Sequence, residues 1–187
     1  MQRENISLIL PEGEFTVEVM SFTENDRVEL YDIYRNWREL CDQLKSMGGR
    51  GVNLPEVLSE SSFCLEMGAV RVVSSITGAN SSWDCYSTER NTRIQVKACS
   101  VLPDLTSFGP KSVWDEIYFV DFFRNGDWDG KFDIYYIDSE LIYNHYVNQT
   151  QTFREQQSQG RRPRFSIYRE LITTRNISPI RTGDLCL

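Results

Sequence analysis

The chain has 187 residues, 40% hydrophobic and 25% charged, with 20 basic and 27 acidic side chains and a net charge of -7. This is the composition of one ordinary globular domain with a core of its own, not of a disordered chain. One histidine, His145, excludes zinc sites built on two histidines and leaves a single base for any Ser-His-Asp triad, while the acidic balance speaks at first against nucleic acid.

In chain order, the apolar runs 6–10 and 15–20 are split by Pro11 and Gly13. Pairing as a hairpin and simple packing of the N-terminus are both open. Thr23, with Asp26 three residues on, forms a variant capping box. Leu30, Tyr34, Trp37, Cys41 and Leu44 then make one helical stripe over residues 24–47, which Gly48 and Gly49 stop. Pro55 suits the first turn of a second helix, with Asn53 as its cap. Val57, Leu58, Ser61, Leu65 and Met67 carry that helix for about three turns, and Glu60 lies on it.

The β-branched residues 69–76 read as a strand. Residues 83–86 read as a short strand and 93–101 as a strong one. After a loop holding Gly109-Pro110, residues 113–116 read as a helical turn and 117–123 as a buried strand. Residues 132–137 read as another strand, 139–147 as helix and 165–172 as a last strand. The order is mixed α/β with hairpin-connected early strands. Five scattered cysteines without a CxxC (Cys41, Cys64, Cys85, Cys99 and Cys186) point to buried, reduced thiols. No run approaches the roughly 18 apolar residues of a membrane span, and residues 1–11 lack a signal-peptide pattern. A cytoplasmic protein with no membrane association is expected.

The chemistry concentrates in Trp83-Asp84-Cys85-Tyr86 and Ile94-Gln95-Val96-Lys97-Ala98. Strand alternation puts Gln95 and Lys97 on one face and the apolar Ile94, Val96 and Ala98 on the other. Asp84, on the preceding strand, reaches the polar face. These are the groups that hydrolysis of a phosphodiester with a divalent metal needs. Asp84 would be the main ligand, and Gln95 and the Val96 carbonyl neutral oxygens. Lys97 would hold water and offset charge at phosphorus, and Glu60 would complete the site. The spacing alone leaves a second reading open, a surface hairpin with an Asp84–Lys97 ion pair across the strands. Pro103-Asp104 follows the lysine and reads as loop. His145 reads as a packing or surface residue, the four tryptophans as core, and Asp127 with Asp129 as a turn.

The pattern Asp84, Gln95, Lys97 resembles the PD-(D/E)XK nuclease superfamily, in the variant with glutamine for the second acid. Asn53-Leu54-Pro55-Glu56, Arg93 to Ala98, Asp104 to Pro110, Trp114 to Phe119 and Gly160 to Ile167 extend the resemblance. They resemble a small family of type II restriction endonucleases that cut the interrupted palindrome GC-N-GC. The resemblance implies a restriction-endonuclease-like core, a central mixed sheet flanked by helices. It also implies magnesium-dependent cleavage of double-stranded DNA by a homodimer, alongside a cognate DNA methyltransferase. Asp84, Gln95 and Lys97 match the core triad and Glu60 the helix acid. Trp83 in place of proline, and the neutral Gln95, depart from the pattern and leave the metal count open.

Guanines are read chiefly by arginine or lysine. Arg161, Arg162 and Arg164, preceded by Gln156, Gln157 and Gln159, form the leading recognition segment, against the plainer reading of a solvated basic turn. Thr106, Ser107 and Lys111 are candidates for phosphate contacts, with an ordinary loop as the open alternative, and Arg154 and Arg169 are phosphate contacts or surface charges. Residues 150–187 hold 7 basic and 3 acidic side chains, a balance of +4, against -11 for residues 1–149 from 13 basic and 24 acidic. The acidity therefore localises DNA contact rather than excluding it. One nuclease domain is expected over 1–187: an N-terminal helical extension at 1–50, a catalytic core at 51–140 and a recognition segment at 141–187. The helical extension is a candidate dimer or arm element. The rivals are a structure-specific or repair nuclease of the same superfamily and a DNA-binding module without hydrolytic activity.

Overall fold

A computed structural model describes residues 1–80 and 82–186. The two N-terminal runs do pair: β1 (Gln2–Leu10) and β2 (Gly13–Ser21) are antiparallel over nine residues each. Thr23 and Asp26 form the expected capping box around a short 3-10 turn, which runs on into α1 (Arg27–Ser46). Helix α2 (Glu56–Met67) follows, with Pro55 at the cap rather than inside the first turn. Its carbonyl accepts from the Leu58 and Ser59 amides, so Asn53 is not needed as a cap. Gly68, left-handed at φ 66, ends the helix.

The remaining elements are β3 (Val70–Val72), β4 (Cys85–Ser87), β5 (Thr92–Cys99), β6 (Thr106–Ser107), β7 (Glu116–Asp121) and β8 (Lys131–Ile137). Then come α3 (Ser139–Tyr143), α4 (Phe153–Ser158), β9 (Arg164–Phe165), a π-helical turn at Tyr168–Thr173 and β10 (Arg181–Asp184). Eight strands make one sheet in the order β1-β2-β3-β4-β5-β7-β8-β10, in which only β5 and β7 run parallel. β6 and β9 form a separate two-stranded ribbon. The protein is thus mixed α/β with a central mixed sheet and helices packed on it.

Alternation along the central strands fills both faces. Ile94, Val96, Tyr118 and Val120 point to one side, where Leu30, Tyr34 and Trp37 of α1 and Leu58 and Phe63 of α2 cover them. Ile117 and Phe119 point to the other, against Phe108, Trp114, Phe153, Phe165, Ile167 and Leu171. A third cluster, with Leu8, Val17, Val19, Trp83 and Tyr86, lies under the N-terminal hairpin. Residues 1–50 are therefore not only helical. Their hairpin extends the main sheet, and α1 is part of its packing.

Several expected elements differ. Residues 113–116 form no helical turn, because Arg93 holds this stretch straight: the Arg93 amide donates to the Asp115 carboxylate (2.7 Å) and the Asp115 amide to the Arg93 carbonyl (2.9 Å). The strand over 69–76 is only Val70–Val72, and the helix from 139 ends at Tyr143. The strand expected over 165–172 is extended only at Arg164–Phe165 and then turns helical. The Asp104 carboxylate accepts from the Ile167 amide at 2.9 Å and the Tyr168 amide at 3.2 Å. A remote side chain thus satisfies donors that begin a helical turn. Four cysteines are buried as expected, but Cys186 is exposed.

Candidate active site

β4 and β5 form the hairpin that brings the predicted acid and lysine together. Cys85 pairs with Ile94, so Asp84 falls beside Gln95. The Gln95 side-chain amide donates to Asp84 Oδ2, and the Val96 backbone amide donates to the same oxygen at 2.9 Å. The Asp84 carboxylate thus ends the β4–β5 ladder in place of a backbone carbonyl. It makes no ion pair with Lys97, which removes the reading of a surface hairpin held by that pair. The Lys97 ammonium has no ion-pair partner among the described residues and lies 5.6 Å from the centroid of the Phe108 ring.

Glu60, from α2, faces the same space. A cleft of about 630 Å³ is lined by Glu56, Glu60, Asp84, Val96 and Lys97, and by the 103–107 loop with Thr106 and Ser107. Gln95 is 2% exposed and sits behind Asp84 rather than on the cleft wall. Burial pushes the Glu60 carboxyl up to about 7, the nearby Asp84 charge pushes the same way, and Arg71 opposes both. Burial likewise raises Asp84, with the Lys97 charge as the main opposing influence. Carboxylates therefore share a confined space in which the Asp84 charge disfavours that of Glu60 and the Glu56 charge disfavours that of Asp84.

A hard cation suits such a donor set. Asp84, Glu60, the Val96 carbonyl and the Gln95 amide are all oxygen donors, and a cation would relieve the crowding of the two acids. Histidine, cysteine, aspartate and glutamate alone do not make a metal centre, since no group of three or more is placed to hold an ion among the described residues. Gln95 now spends its amide N–H on Asp84, so offering its oxygen requires the amide to turn.

The candidate recognition residues divide. The ribbon pairs Ser107 with Arg164 and Thr106 with Phe165, so it joins the arginine segment to the cleft wall, a juxtaposition 57 residues apart in sequence. Arg162 and Arg164 are exposed, with no side-chain bond among the described residues. Arg161 is exposed too, and donates to Gln151 Oε1 at 3.1 Å. Gln159 accepts from Gln151 at 3.0 Å. Gln157 faces inward and donates to the Gly109 and Ser112 carbonyls. Thr106 lines the cleft but is 8% exposed, and its hydroxyl donates to Asp104. Lys111 is exposed but lies outside the cleft lining. Arg154 pairs with Glu140.

Three features escaped the sequence. Arg71 forms an ion pair with Glu60 at 2.6 Å; an arginine flanked by two valines on a short strand was its only signal. Glu56 joins the cleft one turn before Glu60. Asp104 is a loop residue, as expected, but not a solvated one: it accepts from Thr106, Ser166, Ile167 and Tyr168 and pins the recognition segment to the loop after β5. His145 is a packing residue, its ring tilted against Phe165 at 4.3 Å between centroids and bonded to Glu170 at 2.9 Å.

The chain is thus a mixed α/β protein in which two acids and a lysine without an ion-pair partner among the described residues line one cleft, with an amide behind one of the acids. The model of the Bsp6I restriction endonuclease family matches residues 22–174. The chain is also similar to the type II restriction enzyme Bsp6I of Bacillus sp. (strain RFL6). The two are 35% identical over 163 residues, covering 86% of this chain and 87% of that protein. This chain belongs to the Bsp6I restriction endonuclease family, and membership makes it a restriction endonuclease with DNA as its substrate. No solved structure matches the chain. No helix among the described residues is long and apolar enough to cross a membrane.

Proposed function

We propose that this restriction endonuclease hydrolyses double-stranded DNA at GCNGC with magnesium, through a site of the PD-(D/E)XK type formed by Asp84, Gln95, Lys97 and Glu60. The observation that carries the reading is the shared cleft: Glu60, Asp84, Val96 and Lys97 line one cavity, and the ribbon bearing Arg164 forms part of its rim. Asp84, Glu60 and the Val96 carbonyl would hold the ion, with Gln95 orienting Asp84 from behind. Bound there, magnesium would supply Lewis acidity toward the phosphoryl group and lower the pKa of water. Lys97 would orient the attacking water and offset charge that develops on phosphate oxygens. Its lack of an ion-pair partner leaves it free for that work.

Arg161, Arg162 and Arg164, with Gln159, would read base edges. Ser107 and Lys111 would contact phosphate, with Thr106 supporting the loop from below. A palindromic site calls for a two-fold homodimer. The methyltransferase that protects the same sequence would be the functional partner, and the cytoplasm the shared compartment.

The test is cleavage of a sequenced plasmid with magnesium. Discrete fragments ending at GCNGC are expected, and intact unmodified DNA bearing such sites would refute the specificity. Lys97→Ala should abolish cutting while sparing sequence-specific binding. Undiminished turnover in that variant would overturn the site.

A further inference from the structure

Glu60 is an awkward residue. Its side chain is 11% exposed, it shares its cleft with Asp84 and Glu56, and both neighbours carry the same charge. A buried carboxylate needs a hydrogen-bonded partner to hold its aim. Among the described residues one cation touches it. Arg71 Nε donates to Glu60 Oε2 at 2.6 Å, with the arginine side chain 19% exposed.

The backbone makes that meeting obligatory. β3 is only three residues long, yet it pairs on both edges, with β2 through Val72 and Arg71 and with β4 through Arg71 and Val70. Arg71 lies opposite Cys85, the residue after Asp84. Cys85 Sγ is 3.4 Å from Cys64 Sγ on α2, one helical turn beyond Glu60. The same sheet position therefore fixes Asp84 on one side and, through Arg71, Glu60 on the other.

We propose that Arg71 is a positioning residue for cleavage, which aims the Glu60 carboxylate into the cleft and holds it in register with Asp84. The inference rests on the role given to Glu60 above. Arg71 is not on the cleft wall, so it acts through Glu60 and not on the DNA phosphate.

The experiment compares Arg71→Met, Arg71→Lys, Glu60→Gln and the Arg71→Met/Glu60→Gln double variant. Cleavage kinetics are read at saturating magnesium, DNA affinity without magnesium, and thermal melting for each. Arg71→Met should lower kcat by roughly ten- to a hundredfold, as removal of a partner behind a ligand does elsewhere. KM and DNA affinity should not change. Arg71→Lys should recover part of the rate. The double variant should be no slower than the slower single one, because both remove one interaction. Should Arg71→Met not fold, Arg71→Gln, which keeps an N–H donor without the charge, is read in its place. Full kcat without the arginine, where Glu60→Gln is slow, would overturn the role of Arg71 alone. A raised KM with additive losses would mean direct phosphate contact and would also overturn it. Full activity of Glu60→Gln would instead overturn the reading of Glu60.

Discussion

Glu66 joins three elements through one carboxylate. Its side chain is 4% exposed and pairs with Arg27 of α1 and Arg181 of β10, both at 2.7 Å. Without that carboxylate the buried Arg27 keeps only its Glu24 partner among carboxylates and the half-exposed Arg181 turns to solvent, so Glu66→Ala should cost about 1–3 kcal/mol in urea unfolding. Gly183 belongs to the same arrangement. A Cβ there would lie 2.3 Å from the Phe132 ring and 2.9 Å from Glu66 Cγ. Gly183→Ala should therefore destabilise by ~1–3 kcal/mol through overpacking, measurable in the same unfolding experiment. None of this was legible in the sequence, since partners 39 and 115 residues away leave no local pattern. Asp84, Gln95 and Lys97 were legible because strand alternation is local. Arg71 was not, because its role depends on which helix covers β3.

Elements with a strong internal pattern were readable: the capping box and stripe of α1, the run of β5, the buried β7. Those defined from outside were not. β10 is Arg-Thr-Gly-Asp, with no strand signature, and becomes a strand by pairing with β8. The segment after Phe165 is helical because Asp104 bonds its first amides. Asp104→Asn keeps the shape of that carboxylate but replaces one of its two acceptor oxygens with a donor, against neighbours that all donate. It should lower stability by ~1–3 kcal/mol. Asp127→Asn, at an exposed position, should leave the melting curve unchanged and serves as the control.

At the scale of the molecule, the acidic balance of residues 1–149 and the basic balance of 150–187 predict weak affinity for arbitrary DNA, lost steeply with added salt. Binding at the target should lean on base contacts and on the metal. On the proposed reading, magnesium that bound only the folded cleft would stabilise the whole chain, by about 2.7 kcal/mol at a hundred times its Kd. At roughly 2–4 °C per kcal/mol for a chain of this size, the melting temperature should rise by about 5–10 °C. The rise should vanish in Asp84→Ala, and an equal rise in that variant would place the ion elsewhere.

The ribbon β6–β9 spans two residues on each side and shares no ladder with the eight-stranded sheet. The segment proposed to read bases is tied to the candidate site by that ribbon, by Asp104 and by its apolar packing. Residues between Asn144 and Pro163 form, in effect, a cassette. On the proposed reading, substitution of its exposed side chains would change which sequence is presented to the cleft and leave in place the buried Phe153 and the strands beside Asp84 and Lys97. The same reading would let a lineage under pressure to cut new sites vary its target while its chemistry stayed inherited.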